Sequence, residues 1–178
     1  MRLENLTTSE RPQVDESAFV APSADLIGNV RVAEHASVWY GCVLRADIAP
    51  ISVGRETNIQ DLTVVHVDPG RPTVIGERVG IGHRAIIHGC EIQDGCLIGM
   101  GAIVLSHAVI GSGSVIAAGA LVTEGTVVPP NSLVVGLPGR VVREVDDELR
   151  TRIHQTVADY KRLKEGHRGA RWRRWTPR

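Results

Sequence analysis

Three histidines, His66, His83 and His88, lie in one short stretch of the chain. Neutral imidazole is a common ligand of Zn²⁺, and three such ligands leave one position of a tetrahedral ion open for water or substrate. However, 22 residues separate His66 from His88 in the sequence, so no single helix or strand could bring them together. Whether these side chains can act jointly therefore depends on the fold that positions them.

A period of six residues runs through the middle of the sequence. Val, Ile or Leu recurs at this spacing from Val20 to Val134, with three changes of register. Four residues after most of these aliphatic anchors stands a small residue, and Gly directly follows several of them. Large, turn-permitting and small positions in this order are typical of a hexapeptide β-helix, in which each repeat is a short strand and a turn. We expect the anchors to point inward and to stack from coil to coil.

This pattern resembles the left-handed β-helix of hexapeptide-repeat proteins over residues 18–139. The resemblance implies an all-β fold, a left-handed parallel β-helix in which three hexapeptides form one triangular coil. Positions three anchors apart then lie one above the other, about 4.8 Å apart. His66 and His88 follow such anchors, so they should be stacked neighbours, with Arg45 one coil below. By the same register Asp61, which follows Gln60, should lie below His83.

His83 precedes His88 by five residues, around a corner of the triangle, and should point away from the stacked pair. It could join the pair only from a second copy of the chain, packed side by side around a threefold axis. A metal site would therefore predict a homotrimer with the metal between subunits. The residues alone also allow the simpler interpretation that these histidines are solvated side chains on turns.

Several segments narrow the resemblance to the γ-class carbonic anhydrase-like family. They are Ser37–Asp47 (SVWYGCVLRAD), Thr57–Asp61 (TNIQD), Val65–His66, Gly82–Cys90 (GHRAIIHGC), Ile98–Val104 (IGMGAIV) and Gly136–Gly139 (GLPG). Together the matches extend over residues 15–142.

The resemblance implies that His66, His83 and His88 are the zinc ligands, two from one subunit and the third from its neighbour in a trimer. It also implies that Gln60 orients a metal-bound hydroxide that hydrates CO₂ to bicarbonate. Arg45 and Asp47 match a pair at the subunit interface, and Asp61 matches an acid that holds site residues in place. Fe²⁺ or Co²⁺ could occupy the same imidazoles, because the ligand type alone does not select the metal.

The sequence departs from the best-characterised branch of that family near the first zinc histidine. Ile48 stands where that branch has Glu, Ala46 replaces Gly, and the acidic loop with its proton-shuttle Glu is reduced to Val67–Pro72. These differences bear on proton transfer, and hence on whether the chain is an active carbonate dehydratase-type lyase, rather than on metal binding.

The sequence divides into four parts. They are an N-terminal segment (1–17), the β-helix (18–139), an amphipathic C-terminal helix (140–168) and a basic tail (169–178) that we expect to be disordered. Apolar residues spaced three or four apart, from Val145 to Leu163, predict that the helix covers a face of the β-helix. The first 142 residues hold 9 basic and 14 acidic side chains, and the remainder hold 11 basic and 6 acidic.

Composition limits the classes of partner and compartment. Formal net charge is zero, so no overall field favours nucleic acid, and no apolar run is long enough to span a membrane. Three unpaired-looking cysteines and a polar start predict a cytoplasmic protein.

Two further functions stay open: an acyl-CoA transferase or thioesterase on the same coils, and a metal-stabilised scaffold without catalysis. A lone general-base histidine would suit the transferase, whereas three converging histidines favour the metal enzyme.

Overall fold

A computed structural model describes residues 11–172 of the chain as a parallel β-helix of hexapeptide repeats followed by a C-terminal helix. The strands are β1 (Gln13–Val14), β2 (Phe19–Val20), β3 (Asp25–Val32), β4 (Ser37–Val38), β5 (Val43–Val53), β6 (Asn58–Ile59), β7 (Val64–His66), β8 (Thr73–Ile75), β9 (Gly80–Ile81), β10 (Ile86–His88), β11 (Glu91–Ile92), β12 (Leu97–Ile98), β13 (Ile103–Val104), β14 (Val109–Ile110), β15 (Val115–Ile116), β16 (Leu121–Val122), β17 (Val127–Val128), β18 (Ser132–Val135) and β19 (Arg140–Glu144). The helix α1 extends over Asp147–Arg168.

The strands form three faces, each a ladder of parallel pairs. The histidine face contains the first parts of β3 and β5 with β7, β10, β13 and β16. The second face contains β1, the later parts of β3 and β5, and then β8, β11, β14 and β17. The helix face contains β2, β4, β6, β9, β12, β15 and β18. Consecutive strands of the repeat region, up to β18, therefore lie on different faces or turn from one face to the next, as the period of six predicts.

The aliphatic anchors fill the interior of the coils. All of them are buried except Val20 and Leu26, which are partly buried in the first coils. Ile75, Ile92 and Ile110, for example, pair directly from one coil to the next on the second face. The small companion positions are buried as well, except Ala24 and Thr126, because they occupy the narrow corners between faces. The predicted hexapeptide β-helix is confirmed.

Long strands explain one change of register in the sequence. β5 pairs with β7 through Val43 and Leu44 and with β8 through Ile51–Val53, so this strand continues around a corner from one face to the next. β3 accompanies it in the coil below, with an irregularity between Gly28 and Val30. The corner therefore keeps extended backbone instead of a tight turn, which accounts for the nine-residue step between Leu44 and Val53.

The predicted bounds of the end segments need correction. Residues 140–144 form β19 and not the start of a helix, because they pair antiparallel with β18 and satisfy backbone groups that β18 would otherwise expose. α1 begins after Asp146, whose side chain accepts a hydrogen bond from Leu149 N at 2.9 Å. Within the predicted N-terminal segment, β1 already pairs with β3. The basic tail beyond Trp172 lies outside the described residues.

α1 packs against the helix face, as its apolar stripe predicts. Ile153 is 4% exposed and packs with Val115 and Val145. Nearer the C-terminal end, Tyr160 and Leu163 pack against Phe19 and Trp39. No helix within residues 11–172 combines the length and apolarity that a membrane span requires.

Candidate metal centre

His66 and His88 meet at the edge of the histidine face. Each ends a strand, β7 and β10 respectively, and the two are direct partners in the parallel ladder. His66 Nδ1 and His88 Nε2 lie 3.1 Å apart, and the ring centroids lie 5.1 Å apart. Both rings are partly buried. The stacking predicted from the hexapeptide register is confirmed.

Between β7 and β8 the chain is longer than a regular hexapeptide turn. The extra residues form a turn of their own, so the strand register of the coils is preserved. Arg71 N donates a hydrogen bond to Asp68 O at 2.9 Å and closes the turn. Thr73 Oγ1 then donates to His66 O at 2.6 Å, which ties the start of β8 to the end of β7. The insertion therefore lengthens the chain between His66 and His88 without displacing either strand.

Neighbouring polar groups orient the two rings. Asp47 Oδ1 lies 3.2 Å from His66 Nε2, and Arg45 forms an ion pair with Asp47. Burial lowers the pKa of His66, which favours its neutral form even though the bond to Asp47 acts the other way. Burial would raise the pKa of Asp47, yet hydrogen bonds from Arg45 and His66 hold it below its usual value. His88 Nδ1 lies 2.9 Å from Ser106 Oγ.

His83 lies at the opposite end of β10 from His88, in the turn that follows β9. Its Nδ1 lies 2.9 Å from Asp61 Oδ2, so the predicted neighbourhood of Asp61 and His83 is confirmed. Its Nε2 lies 3.3 Å from the hydroxyl of Tyr160 on α1. Burial, followed by the charge of Asp61, raises the pKa of Tyr160 to about 12, so this phenol stays protonated at neutral pH. The chain brings His66 and His88 together and leaves His83 apart from them.

Gln60 is buried between the helix face and the corner that carries His83. Its Nε2 donates to Asn58 Oδ1 at 3.0 Å, which fixes the orientation of the amide. The side chain lines a cavity of about 250 Å³, together with Gly82, Met100 and Thr156. Asn58 Nδ2 is buried with no hydrogen-bond partner among the described residues. Gln60 therefore borders a space large enough for a small molecule.

The donor set of the stacked pair fits a metal ion. Two imidazole nitrogens bound to one tetrahedral Zn²⁺ lie about 3.3 Å apart, close to the 3.1 Å between His66 Nδ1 and His88 Nε2. The lowered pKa of His66 suits a ligand that must be deprotonated. Asp47 supplies the kind of carboxylate partner that commonly orients a ligating imidazole.

Three neighbours of the candidate site were missed by the sequence analysis. Tyr160 was assigned only to the apolar stripe of α1, and no repeat relates that helix to His83. Ser106 follows a strand one coil above His88, so the register could have found it. Asn58 could have been found as well, because it precedes Gln60 by two residues and side chains two apart in a strand share a face.

The cysteines offer no competing chemistry. Cys42, Cys90 and Cys96 are all buried and free. Burial raises their pKa values, to about 11 for Cys42 and Cys96 and about 12 for Cys90, so none is a thiolate at neutral pH.

Comparisons with known proteins identify the hexapeptide repeat and relatives over most of the chain. The family model described as "Bacterial transferase hexapeptide (six repeats)" matches residues 89–124. A protein of Methanocaldococcus jannaschii named "Probable carbonic anhydrase" is 50% identical over 152 residues, which cover 85% of this chain and 96% of that protein. "Gamma carbonic anhydrase 1, mitochondrial" of Arabidopsis thaliana is 44% identical over 88% of this chain. The match covers 59% of the plant protein, so this chain spans about three-fifths of its length.

A solved structure from Bacillus cereus, titled as a putative acetyltransferase, superposes with a TM-score of 0.89. It is 36% identical, and the match covers 90% of this chain and 94% of that one. The same coils therefore occur in proteins named for two different chemistries, and the side chains at the corners must discriminate between them.

Proposed function

The chain belongs to the γ-class carbonic anhydrase-like family of hexapeptide-repeat proteins, and from this premise we propose that it catalyses the reversible hydration of CO₂ to bicarbonate. The observation that carries the proposal is the pair of facing imidazoles of His66 and His88, 3.1 Å apart. We assign them as two ligands of one Zn²⁺ and His83 of a neighbouring copy as the third. Bound Zn²⁺ supplies hydroxide at neutral pH by lowering the pKa of water to about 7, the value known for carbonic anhydrase itself.

The shape of the single chain supports a site shared between copies. β10 separates His83 from His88, so these two residues of one chain face different corners. Between the corners, one row of outward side chains on the histidine face is aliphatic above Asp25 of β3: Val43, Val64, Ile86, Ile103 and Leu121. Val64 and Ile86 are 41% and 40% exposed. Burying this stripe against the His83 corner of a second copy would remove apolar surface from water and complete the ligand set.

The remaining site residues orient groups. Asp47 holds His66, and Arg45 holds Asp47. Asp61 contacts Nδ1 of His83 and so orients the ring. We therefore assign Nε2 of His83, beside the Tyr160 hydroxyl, as the ligating nitrogen. Gln60 keeps its amide oxygen available to accept a hydrogen bond, because Nε2 is occupied by Asn58. We assign Gln60 to orient the attacking oxygen nucleophile beside the cavity that it lines.

An acyl-CoA transferase or thioesterase is the second candidate, favoured by the similarity to the Bacillus cereus structure. Such an enzyme needs one histidine as general base. It gives no role to a second imidazole 3.1 Å away or to a buried amide positioned like that of Gln60. The corner geometry therefore favours metal-dependent hydration.

The decisive experiment pairs metal analysis with stopped-flow CO₂ hydration on the same sample. We expect one Zn²⁺ per chain and a rate well above the buffer background. Gln60→Ala should keep the metal and reduce the rate by about 10- to 100-fold, the usual effect of losing an orienting group next to a metal site.

Gln155→Ala, which changes an exposed glutamine on α1, is the matched control and should leave both metal and rate unchanged. Zinc-loaded protein that does not accelerate hydration would exclude the proposed reaction. Turnover of an acyl-CoA panel by the same sample would then support the second candidate.

A further inference from the structure

A second group of metal-binding side chains lies at the same corner, beyond His88. Asp68, His107 and Glu124 each direct one ligand atom to a common point, and these three atoms lie within 4.8 Å of one another. Asp68 follows β7, His107 follows β13 and Glu124 follows β16, so three different coils contribute. None of the three is among the ligands assigned to the zinc site.

Gly89 makes the convergence possible. It lies in the coil between those of Asp68 and His107, where a side chain would crowd the carboxylate of Asp68. A Cβ at Gly89 would lie 3.2 Å from Asp68 Oδ2 and 3.1 Å from Ser106 Oγ. His107 N donates to Gly89 O at 2.8 Å, which holds the histidine directly above this gap. The carboxylate of Asp68 therefore occupies space that the missing side chain leaves open.

Within the described chain, no lysine or arginine side chain forms an ion pair with the carboxylates of Asp68 and Glu124. Among residues 11–172, the side chain of Asp68 has no ion pair with a lysine or arginine, and its nearest basic group is His88 Nδ1, 3.8 Å away. In that same range Glu124 has no ion pair, and the His107 ring has no hydrogen bond. Two carboxylates held this close repel each other unless a cation lies between them. Arg71 lines the adjacent depression of about 420 Å³ without pairing with either carboxylate.

We propose that Asp68, His107 and Glu124 form a second divalent-cation site, separate from the zinc site at His66 and His88. Two carboxylates and one imidazole, with open positions for water, suit an ion that prefers oxygen ligands, such as Mn²⁺. The depression lined by His107, Gly89 and Gly125 gives a hydrated ion access to these ligands from solvent. The proposal does not depend on the reaction at the first site, since it rests on a different set of side chains.

The test is a titration of the purified full chain with Mn²⁺, after its zinc content has been measured. The electron paramagnetic resonance signal of free Mn²⁺ reports how much is bound. We expect one saturable Mn²⁺ site per chain, with the zinc retained. His107→Ala and Glu124→Gln should each weaken Mn²⁺ binding by at least about tenfold, since even partners outside the coordination sphere contribute 10- to 100-fold.

Glu148→Gln is the matched control, because Glu148 is an exposed carboxylate on α1 that does not line this depression, and the variant should bind Mn²⁺ as the unaltered chain does. His83→Ala should lose zinc and keep the Mn²⁺ site. The absence of saturable Mn²⁺ binding would overturn the proposal, as expected if Arg71 or a basic side chain of a second copy neutralises the carboxylates. The proposal would also be overturned if neither His107→Ala nor Glu124→Gln weakened Mn²⁺ binding.

Discussion

At the scale of single residues, the three histidines differ in what holds them. His66 and His88 face each other, and each is also held by a polar side chain on the same corner, Asp47 and Ser106 respectively. His83 has partners on both ring nitrogens, Asp61 on one side and Tyr160 on the other. Its ring is therefore oriented before any second copy arrives, which reduces the entropy lost when it binds a shared ion.

His83→Ala tests the assignment of the third ligand. We expect the variant to retain less than a third of the zinc of the unaltered protein, because two imidazoles hold Zn²⁺ much more weakly than three. The fold should persist, since the side chain is partly exposed and outside the anchors. Inductively coupled plasma analysis measures the metal, and circular dichroism the fold.

His154→Ala serves as the control for the removal of an imidazole, because His154 is exposed on α1. If His83→Ala retains its full zinc content, the ligand assignment is wrong.

The repeat made part of the site predictable. Because the coil length is fixed by the hexapeptides, the stacking of His66 on His88 and of Asp61 near His83 follows from counting residues. Tyr160 could not be placed by that method. Its position depends on the direction in which α1 crosses the helix face, and this direction is set by side-chain packing that has no period in common with the coils.

At the scale of elements, α1 connects the stability of the helix face to the candidate site. Ile153 is buried at one end of the contact, and Tyr160 reaches His83 near the other. Lys164, only 1% exposed, donates to Ser17 O at 2.6 Å and so ties the helix to the start of the β-helix. The sequence predicted the apolar stripe of α1, but it could not place the start of the helix, because Val141 and Val142 are compatible with either a strand or a helix.

Ile153→Ala measures this contact. Removing a buried isoleucine side chain leaves a cavity, and we expect a loss of about 2–4 kcal/mol in the free energy of unfolding. Chemical denaturation followed by circular dichroism checks the value. Glu148→Ala changes an exposed position of the same helix and should differ from the unaltered chain by less than about 0.5 kcal/mol. Equal stabilities of the two variants would show that α1 is not packed as described.

At the scale of the whole molecule, the three faces are not equivalent. α1 covers the helix face, and the second face mixes apolar with polar side chains such as Ser52 and Glu91. On the histidine face, a row of five outward aliphatic side chains from Val43 to Leu121 is uncovered in the single chain. This asymmetry identifies the face that we expect to join copies in a homotrimer.

Ile103→Asp tests the trimer. Ile103 is a partly exposed outward residue of the histidine face, and a carboxylate there would have to be buried without a partner on assembly. We expect monomers by light scattering, with loss of zinc because His83 no longer reaches a second chain.

Val109→Asp provides the matched control. Val109 occupies the equivalent outward position one hexapeptide later on the second face, and it is also partly exposed. This variant should remain trimeric and keep its zinc. A monomeric unaltered protein that binds one zinc per chain would contradict the shared site itself.

The antiparallel strand β19 has a consequence for how long the molecule can grow. A parallel β-helix normally ends in a coil whose free edge could template another coil, and so invite head-to-tail filaments. β19 runs against β18 and carries Arg140, Arg143 and Glu144 on exposed positions, so an incoming parallel strand meets reversed polarity and charge on the helix face. The reversal thus opposes self-assembly along the axis at the edge of the helix face, whereas sideways association is unaffected by it.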